Sequence, residues 1–195
     1  MPPTPHQASP PRARRSDAER NRDKILAAAR TAFADPDAEV SMAEIARRAG
    51  VGMATLYRNF PGRRELLEAL LVDEVDALCR AADSRDAEMP GAALTDWLQQ
   101  FLAFVPGKRL IVSELLEQTD DSNPVFNTGR ARTLAAGRPL LAAAQDAHEI
   151  RADLTLEQIL DMLTAIAKIP GDPSYVEPIF QATLDGLRLP TDDAT

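Results

Sequence analysis

The stretch from Ser41 to Phe60, SMAEIARRAGVGMATLYRNF, admits very few folds. Ser41 followed three residues later by Glu44 has the spacing of a capping box, which starts a helix. Met42, Ile45, Ala46 and Ala49 then recur at helical spacing and make one short apolar face. Gly50 falls where that helix has to turn, and glycine alone enters the left-handed region without steric cost. Val51 follows as an apolar residue that plugs the corner. A second short helix from Met53 to Phe60 turns Leu56 and Phe60 inward at i,i+4, and Pro61-Gly62 breaks it. Two short helices around a glycine turn form a helix-turn-helix unit, with the small Ala46 where the helices approach each other. The second helix turns Thr55, Tyr57, Arg58 and Asn59 outward and is short enough to enter a major groove by its end.

The flanking sequence reads as helix throughout. Ser16 or Asp17 caps a helix on which Ile25, Leu26, Ala29, Ala32 and Phe33 share a face, and Asp35-Pro36 stops it. A long helix from about Arg63 to about Arg85 carries Leu67, Leu70, Leu71, Val75, Leu78 and Ala82 at a helical period. Further runs lie at roughly 91–105, 108–119, 124–148, 155–168 and 174–188. Their breaks are Pro106-Gly107, the polar loop Asp120-Asp121-Ser122-Asn123-Pro124, and Pro170-Gly171-Asp172-Pro173. No segment sustains strand alternation and there is no internal repeat. The fold class is all-α with about nine helices: an N-terminal three-helix head joined by a long helix to a helical C-terminal body. Residues 1–16, with five prolines and no large apolar residue after Met1, read as a disordered tail. Its Arg12, Arg14 and Arg15 add phosphate attraction, or the tail is a plain solvated leader.

The net charge of −8 conceals an asymmetry. Residues 1–64 hold 12 Lys/Arg and 7 Asp/Glu, a net of +5, and residues 65–195 hold 10 and 23, a net of −13. A basic head on an acidic body suits a localised polyanion-binding surface, and the body repels the same polyanion. One cysteine excludes a disulfide framework, and Cys79 reads as a small buried hydrophobe. Two histidines, His6 and His148, argue against a histidine-rich metal site, and His148 reads as a surface or helix-end residue. No run is long and apolar enough to span a bilayer and no leader is evident, so the expected compartment is the cytoplasm. No nucleophile–base set, defined carboxylate pair or glycine-rich phosphate loop supports catalysis. The expectation is therefore no enzyme, no cofactor and no metal.

The head resembles the DNA-binding domain of TetR-type transcriptional regulators. The matching features are the helix Arg22–Phe33 (RDKILAAARTAF), Ile45-Ala46, Ala49-Gly50-Val51, Thr55-Leu56-Tyr57, Phe60-Pro61 and Arg63, all in fixed order. The resemblance covers about residues 18–78, so residues 17–64 are the expected DNA-binding domain, extended to about 78 by the linking helix. It implies that Ser41, Met53, Ala54, Thr55, Tyr57, Arg58, Asn59 and Arg63 face double-stranded DNA. Thr55 and Tyr57 would donate hydroxyl hydrogen bonds to phosphates, and Arg63 would take the family's cationic phosphate position. Arg58 suits a bidentate contact to guanine, Ala54 a thymine methyl, and Asn59 a phosphate. Arg47 and Arg48 belong either near the DNA or to a solvated face. Two positions depart from the family pattern. Gly52 stands where a side-chain cap is usual, and Met42-Ala43 offers little base readout.

The body, residues 65–195, is similar to regulators with an SbtR-like C-terminal domain, through Arg151-Ala152-Asp153-Leu154 and Pro178–Arg188 (PIFQATLDGLR). In such regulators this region binds an effector and forms the dimer. The apolar positions of the last two helices, Ile159, Met162, Leu163, Ile166, Ile179, Phe180, Leu184 and Leu187, are the expected homodimer interface, with intrachain core as the alternative. Trp97, Phe101, Phe104, Val112, Leu115, Leu116 and Phe126 are the expected walls of a pocket for a small apolar effector, again with core packing as the alternative. A dimer would set two recognition helices about 34–36 Å apart on a roughly palindromic operator. The implied function is a dimeric repressor released by an effector. The alternative is a helical ligand-binding or scaffold dimer whose head no longer binds DNA.

Overall fold

A computed structural model describes residues 11–33, 40–83, 88–105, 108–117 and 124–189. Nine helices occur among them: α1 Pro11–Phe33, α2 Met42–Ala49, α3 Met53–Asn59, α4 Arg63–Asp83, α5 Pro90–Phe104, α6 Arg109–Glu117, α7 Pro124–Asp146, α8 Leu156–Ile166 and α9 Pro173–Leu187. The all-α expectation holds. The residues form two units, Met1–Leu70 and Leu71–Thr195, divided within α4. The Asp35-Pro36 stop, Arg85, Pro106-Gly107, residues 120–123 of the polar loop and residues 1–10 of the tail lie outside the described residues.

In the first unit α1 packs on α2 and α3. Ile25, Leu26, Ala29, Ala32 and Phe33 meet Ile45, Ala46, Leu56 and Phe60 in a closed core. Helix α1 begins at Pro11, six residues before the expected Asp17 cap. Proline presets a helical φ at a first position, and nothing between it and Asp17 interrupts a helix. Asp17 pairs with Arg20 one turn along. Gly50 ends α2 at φ +64°, as the turn requires. Val51 N–H donates to the Ala46 carbonyl at 3.0 Å, closing the corner.

In the second unit Trp97 is fully buried and its indole N–H donates to the Leu78 carbonyl at 3.1 Å, joining α5 to α4. Gly137 of α7 makes room for that ring: a Cβ there would meet Trp97 Cζ3 at 2.6 Å and Leu156 Cδ2 at 2.8 Å. A reciprocal capping box, Thr155 with Gln158, starts α8, and Asp172 caps α9 through the N–H groups of Ser174 and Tyr175. His148 ends α7 exposed and at φ +58°, a helix-end residue as expected. Beyond it, Arg151 N–H donates to Leu187 O at 2.9 Å and Leu189 N–H to Glu149 O at 3.2 Å. The Glu149 carboxylate accepts from Gly91 N–H at 2.7 Å, satisfying an open donor in the first turn of α5.

Candidate nucleic-acid interface and ligand cavity

Helix α3 is amphipathic over its short length. Leu56 anchors it from below, while Met53, Ala54, Tyr57 and Arg58 lie exposed on the opposite side. Tyr57 keeps 47% of its surface open to solvent. Thr55 and Asn59 are half-buried, and Asn59 donates its amide to the Thr55 carbonyl at 2.8 Å. That bond turns the Asn59 donor back along its own helix. Gly52 supplies no side-chain cap, so its carbonyl alone accepts from Thr55 and Leu56 N–H.

One expectation for the head changes. The capping box of α2 forms only by half. Ser41 Oγ accepts from Glu44 N–H at 3.1 Å, but the Glu44 carboxylate accepts from Arg47 at 2.7 and 2.8 Å and from Arg48 at 2.7 Å. Cations at i+3 and i+4 on the same helix outcompete a neutral N–H for the carboxylate. The two guanidinium groups lower the Glu44 pKa to about 2. Arg63 is half-buried, donates to the Val40 carbonyl and lies 5.2 Å over the Phe33 ring. Arg22 similarly lies 4.7 Å over Phe60. Both guanidinium groups cover the aromatic corners of the head, where cation–π attraction adds to burial.

A cavity of about 310 Å³ opens among α4, α5, α6, α7 and α8 within the second unit. Phe101, Phe104, Val112 and Phe126 line it as expected. Trp97 and Leu115 do not: both are fully buried core, with Trp97 consumed by its contacts to α4 and α7. The side chain of Leu116 lies outside the described residues. Sequence reasoning missed Leu71 and Val75 of α4, Thr133 of α7 and Leu160 and Thr164 of α8. It also missed three cations on the lining, Lys108, Arg130 and Lys168. Lys108 is only 6% exposed, and its ammonium lies against the Phe104 ring and 3.7 Å from Glu74. Burial outweighs the attraction of Glu74 and lowers the Lys108 pKa to about 7. Cys79 is half-buried rather than core, with its thiol pKa raised by desolvation and its S–H toward the Arg132 carbonyl at 3.7 Å.

Residues 25–70 match the profile of bacterial regulatory proteins of the tetR family. Residues 89–189 match that of the C-terminal domain of SbtR-like transcriptional regulators. A TetR transcriptional regulator from Streptomyces coelicolor is 34% identical, with a TM-score of 0.75 over 87% of this chain and 99% of that one. A TetR transcription regulatory protein from Mycobacterium vanbaalenii is also 34% identical, with a TM-score of 0.73 over 90% of this chain and 99% of that one. The chain belongs to the TetR family. Members of this family are DNA-binding transcriptional regulators. An HTH-type transcriptional regulator of Mycobacterium bovis is 38% identical over 69 residues, 33% of this chain, and the match spans 36% of that relative's length.

Within this TetR-family chain, the expected dimer residues are distributed unevenly. Ile159, Leu163, Ile166, Phe180, Leu184 and Leu187 are buried in the core of the single chain. A side chain already closed off has almost no surface left to give a partner. Met162 is exposed and Ile179 half-buried, and Tyr175, 61% exposed, adds an aromatic that the spacing argument overlooked. Among the described residues no helix is long and apolar enough to cross a membrane, and no cluster of three or more His, Cys, Asp or Glu is placed to hold a metal.

Proposed function

We propose that the chain is a dimeric, sequence-specific transcriptional repressor whose α3 enters the major groove and whose cavity binds a small-molecule effector that releases it. The observation that supports this most directly is the division of α3 into a buried anchor, Leu56, and an exposed face of Met53, Ala54, Tyr57 and Arg58. The Tyr57 hydroxyl would donate to a phosphate, and Arg58 would reach a guanine edge or a second phosphate. Ser41 and Thr55 would complete the backbone contacts through their hydroxyls. Residues 17–64 would act as the DNA-binding domain and 65–195 as the effector and dimerisation domain.

One α3 makes too few contacts for selective binding, so two copies would read a roughly palindromic operator. Met162 and Tyr175, exposed on α8 and α9, would meet their counterparts in the second copy. Release would follow from an effector binding one spacing of the two heads better than the other. Part of the cavity wall is Leu71 and Val75 of α4, whose first two turns belong to the N-terminal unit.

The test is binding to duplex fragments from upstream of its own and neighbouring genes across a salt series. Selective sub-micromolar binding with a steep salt slope is expected. Tyr57→Phe with Arg58→Ala should weaken it by about 10–100-fold at unchanged Tm. Weak binding equal on all sequences, unmoved by that pair, would contradict the reading and favour a head that no longer recognises DNA.

A further inference from the structure

We propose that the cavity takes an amphipathic monoanion, a compact apolar body carrying one carboxylate, with the carboxylate set against Lys108. This rests on the reading of the cavity as the effector site and names the chemistry of its ligand. At about 310 Å³ the cavity is at the small end of ligand pockets, and aromatic and aliphatic side chains form most of its wall. Phe101 and Phe104 stack along one side, with ring centroids 6.0 Å apart.

Lys108 does not fit an apolar pocket that stays apolar. Its ammonium is buried and has no hydrogen-bond acceptor, because the Glu74 carboxylate lies 3.7 Å away. Desolvating an ammonium is costly, and a cation whose counter-ion stands beyond hydrogen-bond distance recovers only part of the cost. A ligand carboxylate within hydrogen-bond distance would supply what is missing.

The surroundings carry the same sign. Among the described residues, the charged ones on the lining are all cations, Lys108, Arg130 and Lys168, in a body that holds 13 more acids than bases. Arg130 is bonded to Asp161 at 3.1 Å and Lys168 is exposed, so Lys108 is the cation available deep in the wall. The hydroxyls of Thr133 and Thr164 donate to carbonyls of their own helices at 3.0 and 2.7 Å. They therefore present lone pairs rather than donors. A dianionic phosphate would bring a second charge that the single Lys108 ammonium does not balance, whereas a carboxylate brings one.

Protonation adds an independent signature. Among the described residues, Glu74 of α4 lies 3.7 Å from the Lys108 ammonium, and Arg130 of α7 and Lys168 beyond α8 are the other charged groups on the lining, beside the uncharged Phe101, Phe104 and Val112. At pH 8 much of Lys108 is neutral, and a bound carboxylate would draw a proton onto it.

The experiment is calorimetry on the full chain at pH 8 in two buffers of different ionisation enthalpy. The probes are 4-phenylbutanoate, 4-phenylbutan-1-ol and 4-phenylbutylamine. The acid is expected to bind about tenfold or more tighter than the alcohol, the amine weakest, with proton uptake for the acid alone. Lys108→Met should bring the acid down to the affinity of the alcohol and abolish the uptake, leaving the alcohol unchanged. Lys108→Arg should keep the preference, which separates charge from folding damage. Equal binding of acid and alcohol, a preference for the amine, or an acid-to-alcohol ratio unmoved by Lys108→Met overturns the anion alone, provided that Val112→Phe blocks all three probes. Failure of all three to bind overturns the cavity as an effector site, and the anion with it.

Discussion

Replacing Arg63 by Ala separates two roles that a cation at the start of α4 can play. Its guanidinium donates to the Val40 carbonyl ahead of α2 and lies over Phe33 at the end of α1. A hydrogen bond from a charged donor contributes about 1.5–3 kcal/mol, and a half-buried cation–π contact about 0.5–2 kcal/mol. Losing both should cost about 2–5 kcal/mol and lower Tm by roughly 4–20 °C. The consequence for DNA follows from the same contacts. Each phosphate neutralised contributes about 0.9 to the slope of log K against log salt, so a phosphate contact made twice in a dimer contributes about 1.8. If Arg63 positions α2 against α1 instead, affinity falls with the ordering of the head while the slope stays put. The assay is fluorescence anisotropy on a labelled duplex over a salt series, paired with thermal unfolding of the same samples. Arg63→Lys should recover only part of the stability, since an ammonium lacks the planar fork and the stack. An unchanged Tm with a slope reduced by about 1.8 would refute the positioning role and make Arg63 a phosphate contact.

Other outcomes follow from single contacts. Gly137→Ala should destabilise by about 1–3 kcal/mol in urea unfolding, because the added methyl drives into Trp97 and Leu156, more than offsetting the roughly 1 kcal/mol helical preference for Ala. Gly186→Ala, with nothing within 4 Å of the new methyl on α9, should stabilise by about 0.5–1 kcal/mol. Glu44 should titrate near pH 2 by carboxyl NMR, and Arg47→Gln with Arg48→Gln should return it toward 4.5. Its folded pKa lies below its unfolded one, so its contribution to stability holds above about pH 4.5 and fades as the pH falls through about 2. Lys108 runs the other way: with a folded pKa of about 7 against 10.5 unfolded, its penalty holds below about pH 7 and lifts toward 10.5. Stability should therefore rise with pH across that window, and Lys108→Met should flatten the rise in urea unfolding.

Much of the head was legible because its constraints are local. The spacing of Ile25, Ala29, Ile45 and Leu56 names the inward faces, and Gly50 and Pro61 name the breaks. What escaped was competition between partners. Ser41 and Glu44 at capping-box spacing do not reveal that Arg47 and Arg48 take the carboxylate. The true reciprocal box lies at Thr155, where no cation follows within a turn to divert Gln158. In the body, periodicity finds an apolar face but not the neighbour that covers it. Hence six of eight interface candidates on α8 and α9 are closed inside the chain, while Tyr175, off the main stripe, is open. Lys108 was invisible for a related reason: its place at the start of the run 108–119 says nothing of burial, and only Glu74 of α4 and Phe104 of α5 beside it make it a buried charge.

The position of Leu71 and Val75 decides how a ligand could be felt beyond its own cavity. Both line the cavity, and both belong to the helix that carries Leu66, Leu67 and Leu70 in its first two turns. The C-terminal half of α4 is held firmly within its unit: Leu78 accepts from Trp97 of α5, and Asp76 pairs with Arg132 of α7. A ligand that enters between α4 and α7 therefore cannot widen the cavity without loading those ties or moving α4 along with its own axis. Close-packed helices offer a few discrete arrangements rather than a continuum. A ligand has regulatory effect only to the extent that it binds one arrangement better than another. On the proposed reading of the cavity as an effector site, Asp76→Asn should tighten ligand binding in calorimetry and shrink the ligand-induced change in operator affinity measured by anisotropy, because the same displacement would be absorbed locally instead of being carried by α4.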